Sequence, residues 1–155
     1  MRGRAHQEDA YWRETGYKAA LEANGIPFDP KLAIAGEFER EVAYQSLTKF
    51  LANENHAEFD AVFAGNDDAA IGVIKALQDN GLRIPEDISV VGFDDLRLSG
   101  YLTPPLTTVR APTEEVGRIA TVQLFSLIDE QPLSGMTVLS TEIIIRRSCG
   151  CQISA

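Results

Sequence analysis

Residues 61–95, AVFAGNDDAAIGVIKALQDNGLRIPEDISVVGFDD, hold the clearest structural pattern of this chain. The segments Phe59–Ala64 and Ile88–Phe93 are short, continuous apolar runs, which are typical of strands covered on both faces of a sheet. Between the two runs, apolar residues recur at helical spacing, at Ala70, Val73, Ile74 and Leu77. Gly81 then provides a natural end for this helix. The order of strand, helix and strand predicts two parallel strands connected by a helix.

The same alternation of helices and strands continues on both sides of this segment. Helical spacing predicts further helices at 9–24, 39–53 and 114–129, and short apolar runs predict strands at 32–35, 106–109 and 138–147. The residues from Ser148 onward are predicted to form a tail. The predicted fold class is therefore α/β, with an open, mostly parallel sheet and helices on both faces.

The acidic charge balance of the chain limits its partners. The 155 residues carry a formal net charge of −9, and the sequence pI is about 4.7. Nucleic-acid binding needs a basic patch, and the best basic cluster, Arg146-Arg147, offers no groove-reading element. We therefore expect no direct nucleic-acid binding by this chain.

The sequence also predicts a cytoplasmic chain without a membrane partner. No apolar run reaches the roughly 20 residues that a bilayer span requires. The charged start, Met1–His6, is followed by no apolar stretch of the kind found in signal peptides. Cys149 and Cys151 are the two cysteines, and so few cysteines fit a reducing compartment.

Polar residues that follow glycine at two predicted strand ends are the candidate ligand site. In parallel α/β sheets, ligands bind beyond the carboxyl ends of the strands, where Asn66 follows Gly65 and Asp94 closes the run that contains Gly92. An ionised Asp accepts several hydrogen bonds and Asn both donates and accepts, so this pair suits a polyhydroxylated molecule. Arg13 could add a planar donor fork, and Phe38 or Trp12 an apolar face for a sugar ring. Alternatively, Asn66 or Asp67 caps the following helix, and Trp12 belongs to the core.

Other chemistry has little support in the sequence. The acids Asp67, Asp68, Asp94 and Asp95 could hold a magnesium ion, but no suitable lysine follows them. The chain contains no phosphate loop, dinucleotide motif or nucleophile elbow, so we expect neither an enzyme nor a cofactor. Cys149-Gly150-Cys151 could hold a metal, but reduced thiols in a tail are the preferred interpretation.

Three motifs resemble the lactose/galactose repressor (LacI/GalR) family. They are the segments Ala61–Gly72, Gly81–Asp95 and Tyr101–Val109, in this order. Weaker matches lie at Arg13 with Gly16-Tyr17, at Gly36–Phe38 and at Glu142–Ser148. The resemblance implies a periplasmic-binding-protein-like effector domain of two α/β lobes with the ligand between them. It also implies ligand contacts from Arg13, Phe38, Asn66 and Asp94.

The resemblance further implies how the chain is divided. Residues 1–110 and 138–148 correspond to the C-terminal lobe, 111–130 to a helix that packs on the N-terminal lobe, and 149–155 to a tail. The family's helix-turn-helix and most of its first lobe have no counterpart here. Dimer contacts are implied for the helix that begins at Asp67 and for the loop after Asp95. The apolar helix 114–129 is expected to pack on a second copy of the chain or to fold back onto its own lobe.

Two functions remain open on the sequence alone. The first is the effector-sensing module of a LacI-type transcriptional regulator, or of a related fused signalling protein because the stretch Arg146–Cys151 resembles the end of such sensor domains. The second is a periplasmic transport protein that binds sugars, which shares the fold. Both predict a sugar-like ligand but not which one, because residues that bind hydroxyl groups look alike for many sugars and nucleosides.

Overall fold

The computed structural model of the protein describes residues 1–4, 6–132 and 135–151. Helices and strands alternate along most of this chain. The helices are α1 (Glu8–Ala23), α2 (Arg40–Leu51), α3 (Asp67–Asp79) and α4 (Thr113–Ile128), with short 3-10 turns at Pro30–Leu32 and Arg97–Tyr101. The strands are β1 (Ala61–Phe63), β2 (Ser89–Phe93), β3 (Thr107–Arg110) and β4 (Glu142–Ile144).

The four strands form one sheet in the order β1-β2-β3-β4. The pairs β1–β2 and β2–β3 are parallel, whereas β4 runs antiparallel to β3. The prediction of a mostly parallel α/β sheet is thus confirmed. It follows that the carboxyl ends of β1 and β2 lie next to each other, which brings the two predicted ligand segments together.

Met1 and Arg2 add a short strand position to the edge of the sheet next to β1. The Met1 amino group donates to the carbonyl of Phe63 at 2.7 Å, and the Gly65 amide donates to the Met1 carbonyl at 3.0 Å. On the other side, the Arg2 amide donates to the carbonyl of Ile34 at 2.8 Å. The first two residues therefore occupy a strand position between β1 and the segment around Ile34.

The core lies between α3, α2 and the sheet. The buried residues of α3 include Val73, Ile74 and Leu77, and those of α2 include Ala43 and Leu47. The two helices approach so closely that a Cβ added to Gly72 would lie 2.1 Å from the Arg40 carbonyl oxygen. A glycine at position 72 is what permits this contact.

The predicted strand at 32–35 is wrong in its larger part. A 3-10 turn occupies Pro30–Leu32, and the Asp29 side chain starts it by accepting from the Lys31 amide at 2.8 Å. Only one isolated parallel bridge, between Arg2 and Ala35, remains of the strand. The apolar run predicts a strand, but a strand forms only where it pairs with a neighbouring strand. Met1-Arg2 reaches only the end of this segment, so the rest of it does not pair.

The C-terminal segment corrects two further predictions. The strand predicted at 138–147 is confined to Glu142–Ile144. Ser148, predicted to begin a tail, is fully buried. Its hydroxyl donates to the Val90 carbonyl at 2.6 Å and accepts from the Thr107 amide at 2.8 Å. A small hydroxyl joins two neighbouring strands here, so the segment belongs to the sheet and not to a tail.

Helix α4 contains no buried residue. Its exposed large apolar side chains are Val116, Val122, Leu124, Phe125, Leu127 and Ile128. The alternative in which this helix folds back onto its own lobe is therefore wrong. None of the described helices is long and apolar enough to cross a membrane.

Candidate functional site

The carboxyl ends of β1 and β2 place Asn66 and Asp94 on the same side of the sheet. Asn66 follows the buried Gly65 and precedes the first residue of α3. Asp94 follows β2 and adopts a left-handed backbone with φ of 107°, and its amide donates to the Val109 carbonyl at 2.8 Å. Left-handed backbone is costly for a residue other than glycine, so the surrounding structure holds Asp94 in this conformation.

Arg13 joins the two strand ends. It projects from α1, and one guanidinium nitrogen donates to the Gly65 carbonyl at 2.6 Å. Another lies 3.5 Å from a carboxylate oxygen of Asp94. The guanidinium carbon also stands 5.0 Å from the ring centre of Phe38 and 4.1 Å from that of Phe93. Ion pairing and cation–π contacts thus hold the arginine fork in one orientation.

The Phe38 ring packs directly against the backbone of two glycines, Gly3 and Gly65. A Cβ on Gly3 would lie 2.2 Å from the Phe38 ring, and a Cβ on Gly65 would lie 2.6 Å from it. Phe38 itself has a left-handed backbone with φ of 63°. Its carbonyl accepts from the Asn66 side-chain amide at 3.1 Å. The ring therefore lies directly beside the strand end that presents Asn66.

Asn66 has a capping role as well as a place in the site. Its side-chain oxygen accepts from the Ala69 amide at 2.9 Å and so caps α3. Asp67, the other predicted cap, is instead the first residue of α3 and is fully buried. The prediction of capping by Asp67 is wrong. A sequence pattern locates a helix start only to within a residue or two, so it does not distinguish the cap from the first helical residue.

The structure therefore brings Arg13, Phe38, Asn66 and Asp94 into one cluster, as the sequence predicts. We call these four residues the strand-end cluster. Trp12 does not belong to it. The Trp12 side chain is 60% exposed and donates to Glu8 on the outer surface of α1.

Asp94 of the strand-end cluster and its chain neighbour Asp95 differ in their electrostatics. Burial raises the pKa of Asp94, and Arg13 opposes this shift only in part. Burial would also raise the pKa of Asp95, but hydrogen bonds from Arg146 and Arg110 hold it below its usual value. The Asp94 carboxylate lies 3.5 Å from Arg13, whereas the Asp95 carboxylate is bound more closely by two arginines, at 2.6 Å each.

The sequence analysis missed the structural role of Asp67. Its carboxylate accepts from the Ser99 hydroxyl, from the Leu96 amide at 2.8 Å and from the Thr108 hydroxyl at 2.6 Å. These contacts fix the loop after β2 and the start of β3 against α3. No sequence pattern links these residues, because they meet only through the sheet.

The acidic residues at the two strand ends do not form a common magnesium site. Asp67 is bound by hydroxyl and amide donors, and Asp95 by two arginines. Asp68 pairs with Arg40 at 2.8 Å. In the described ranges, no group of three or more His, Cys, Asp or Glu side chains is placed to hold a metal ion. The magnesium alternative therefore receives no support from this geometry.

The two thiols at the C-terminal end are free, and Cys149 is partly buried. The Cys149 sulfur accepts from the Cys151 amide at 3.3 Å, and the Cys149 carbonyl accepts from the Ser89 hydroxyl at 3.2 Å. Cys149 is therefore attached to β2 and does not belong to a tail. The remainder of the predicted tail, 152–155, lies outside the described residues.

Comparison with known proteins gives a consistent set of relatives. Residues 1–149 match the model of a periplasmic binding protein-like domain. The HTH-type transcriptional regulator MalR of Clostridium butyricum is 41% identical over 140 residues, which are 90% of this chain and 41% of that protein. The ribose operon repressor of Escherichia coli K12 is 34% identical over 135 residues, or 87% of this chain and 40% of that repressor.

A solved structure shows the same fold. The complex of the transcriptional regulator CelR with cellobiose superposes with a TM-score of 0.87 at 31% identity, and the match covers 96% of this chain and 45% of that one. The chain thus spans about two fifths of the length of MalR and of the ribose operon repressor (41% and 40%).

Proposed function

Because this chain belongs to the periplasmic binding protein-like domain family of LacI-type regulators, we propose that it is an effector-sensing module. It binds a sugar-like small molecule at the strand-end cluster and reports that binding to a transcriptional or related signalling output. In this proposal the chain is cytoplasmic, is not an enzyme, and does not itself contact nucleic acid, because its net charge is −9.

One observation carries the proposal: four side chains of complementary chemistry converge at adjacent strand ends. Asp94 accepts hydrogen bonds from hydroxyl groups, and Asn66 and Arg13 supply donors. The Phe38 ring gives an apolar surface beside them. An ionised acceptor, fixed donors and an aromatic face together suit a sugar, whose ring has both polar edges and apolar faces.

The names of the relatives support a sugar-like effector and a regulatory output. CelR is described in complex with cellobiose, and the second curated relative is a repressor of a ribose operon. A transport-type binding protein would have the same fold. The regulator is favoured because MalR, the ribose operon repressor and CelR are all named as regulators.

We further propose a division of the chain on the basis of its packing. Residues 1–110 and 138–148 form one lobe, since β4 and Ser148 join the sheet built by the earlier strands. Residues 111–130 contain the exposed helix α4, which is suited to pack on a second lobe. The proposed assembly is a homodimer with two candidate surfaces: the exposed helix α4, and α3 with the loop after Asp95, where the family resemblance implies contacts.

Replacing Asp94 with alanine is expected to weaken sugar binding by about 10- to 150-fold, because a charged hydrogen-bond acceptor contributes about 1.5–3 kcal/mol. Isothermal titration calorimetry first tests the parent protein against a panel that contains cellobiose, ribose and lactose. The sugar that binds is then titrated into the Asp94 variant. Asp79→Ala is the matched control, since Asp79 is an exposed acid at the far end of α3. Equal affinities of the Asp94 variant and the parent protein would refute the assignment.

The apolar surface of α4 is expected to drive self-association of this chain. Phe125 is 61% exposed and Leu124 is 56% exposed, and a contiguous apolar surface of this kind is sticky in water. Sedimentation velocity should show a dimer whose fraction rises with protein concentration. Phe125→Glu should raise the dissociation constant of this dimer by about tenfold or more, which corresponds to a loss of roughly 1.4 kcal/mol of binding free energy.

A matched variant separates this surface from the other candidate contact. Leu98 is 46% exposed in the loop after β2, where the family resemblance implies a dimer interface. Leu98→Glu should leave the α4-driven association unchanged. If Leu98→Glu dissociates the dimer and Phe125→Glu does not, α4 is not the self-association surface.

A further inference from the structure

The two cysteines form a pair that the proposed function does not use. Only Gly150 separates Cys149 from Cys151, and both thiols are free. A side-chain hydrogen bond joins the two thiols. Among the described residues, no group of three or more His, Cys, Asp or Glu side chains is placed to hold a metal ion. Two adjacent sulfurs without further ligands favour sulfur–sulfur chemistry over a metal ion.

A tight turn brings the two cysteines together. The Gly150 amide donates to the Arg147 carbonyl at 3.2 Å and closes a β-turn. Gly150 has a left-handed backbone with φ of 72°, a conformation that glycine adopts without strain. The Cys151 amide then donates to the Cys149 sulfur at 3.3 Å. An extended chain would hold the two cysteine Cα atoms about 7 Å apart, beyond the usual span of a disulfide, so the turn makes this pair bridgeable.

The surroundings of the two cysteines differ. Cys149 is partly buried, and its carbonyl accepts from the Ser89 hydroxyl of β2 at 3.2 Å. It also follows Ser148, which is fully buried and bound to β2 and β3. Cys151, in contrast, is exposed. One thiol is thus held against the sheet, and the other is open to small molecules from solvent.

Cys149 is the more reactive of the two at neutral pH. Burial alone would raise the pKa of its thiol, but hydrogen bonds from Cys151 and from the Thr107 side chain lower this pKa below its usual value. The hydrogen bond to Cys149, together with burial, raises the pKa of the Cys151 thiol. Since the thiolate is the nucleophilic form of cysteine, an exchange reaction begins at Cys149 and is completed by Cys151.

We propose that Cys149-Gly150-Cys151, which we call the dithiol turn, is a thiol–disulfide exchange site whose substrate is a low-molecular-weight disulfide. The Cys149 thiol loses its proton to solvent and attacks one substrate sulfur, so that a mixed disulfide forms and the substrate's sulfur–sulfur bond breaks. Cys151 then loses its proton and attacks the Cys149 sulfur, which forms the protein disulfide and releases the second half of the substrate. Two protein thiols are oxidised to one disulfide, and the substrate disulfide takes up the two electrons and two protons as two thiols.

The disulfide of the dithiol turn is expected to be easily reduced. It closes a ring across three residues only and has one exposed cysteine, and strained or exposed disulfides are the labile ones. The pair therefore stays reduced in a reducing compartment and becomes oxidised when disulfides accumulate, which is the behaviour of a redox-sensing pair. This site is separate from the strand-end cluster and goes beyond the proposed sensing of a sugar.

Incubation of the reduced full chain with glutathione disulfide, followed by intact mass spectrometry, tests the proposal. The parent protein should lose the mass of two hydrogen atoms and retain no glutathione, and dithiothreitol should reverse this change. Cys151→Ser should stop after the first step and retain one glutathione on Cys149, because no second thiol is present to release it. Cys149→Ser should react about tenfold more slowly at neutral pH, because it lacks the sulfur that accepts from the Cys151 amide.

Phenylarsine oxide gives a second measurement that does not depend on oxidation. Its arsenic binds two thiols with loss of one water, so the parent protein should retain one equivalent through gel filtration, and neither serine variant should retain it. An unchanged mass of the parent protein with glutathione disulfide would overturn the proposal, as would glutathione retained on both cysteines or disulfide-linked dimers on a non-reducing gel. Equal reaction rates of the two serine variants would overturn the role of Cys149 as the attacking thiol.

Discussion

Replacing Asp67 with alanine is expected to lower the free energy of unfolding by about 3–5 kcal/mol. The carboxylate is fully buried and accepts from the Ser99 hydroxyl, the Leu96 amide and the Thr108 hydroxyl. Alanine would leave these donors buried without their acceptor, and each unsatisfied donor carries a desolvation cost. Urea unfolding followed by far-ultraviolet circular dichroism measures the change.

Asp68→Ala is the control for this experiment. Asp68 is the next residue of α3, but its side chain is 34% exposed and pairs with Arg40. The Arg40 amide at the start of α2 also donates to Asp68, at 3.0 Å. A surface ion pair with one such helix-start hydrogen bond contributes about 1–2 kcal/mol, so this variant should lose clearly less stability than Asp67→Ala. If the two alanine variants lose the same stability, the buried hydrogen bonds of Asp67 do not carry the effect. Asp67→Asn should also be destabilised, since an amide offers one acceptor oxygen where the carboxylate has two.

Gly72→Ala is expected to cost about 2–3 kcal/mol of stability, although alanine is the better helix former by about 1 kcal/mol. The added Cβ would lie 2.1 Å from the Arg40 carbonyl oxygen and 3.0 Å from the Tyr44 amide nitrogen. Both are backbone atoms, so no side chain can rotate away and α2 must move away from α3. Urea unfolding would report the loss.

Gly117→Ala separates packing from helix propensity. Gly117 lies in α4, and a Cβ there would meet no atom within 4 Å. The same substitution should therefore leave stability unchanged or raise it by up to about 1 kcal/mol, with more helical signal in circular dichroism. Tolerance of alanine at position 72 would show that α2 and α3 can separate at little cost.

The central part of the fold could be predicted because its pattern repeats. In residues 61–95 the apolar spacing changes from that of a strand to that of a helix and back. Each apolar residue in this pattern has to be buried between the sheet and its helices, so the pattern follows the structure closely. The strand predicted at 32–35 failed because hydropathy shows burial and not pairing. That segment finds a partner only at Arg2. Ser148 was missed because a small hydroxyl is buried by hydrogen bonds to backbone and not by its own hydropathy.

The candidate site could be predicted in part. Asn66 and Asp94 follow from the rule that ligands meet parallel strands at their carboxyl ends, and Arg13 and Phe38 gained support from the family resemblance. The partners that hold these residues were not visible in the sequence. Asp95 and Arg146 are 51 residues apart, and no periodicity connects residues that meet only when the sheet forms.

The ion pairs of Asp95 link the strand-end cluster to the two chain segments that flank α4. Arg110 ends β3 just before α4, and Arg146 follows β4 just after the chain returns from it. Both arginines bind the carboxylate of Asp95, which is 8% exposed and adjacent to Asp94. The segment that leaves the sheet and the segment that returns to it are thus both bound to one residue, next to Asp94 of the strand-end cluster. If docking of α4 on a partner changes the affinity for the proposed effector through Asp95, reciprocity requires that effector binding change the affinity for that partner by the same factor.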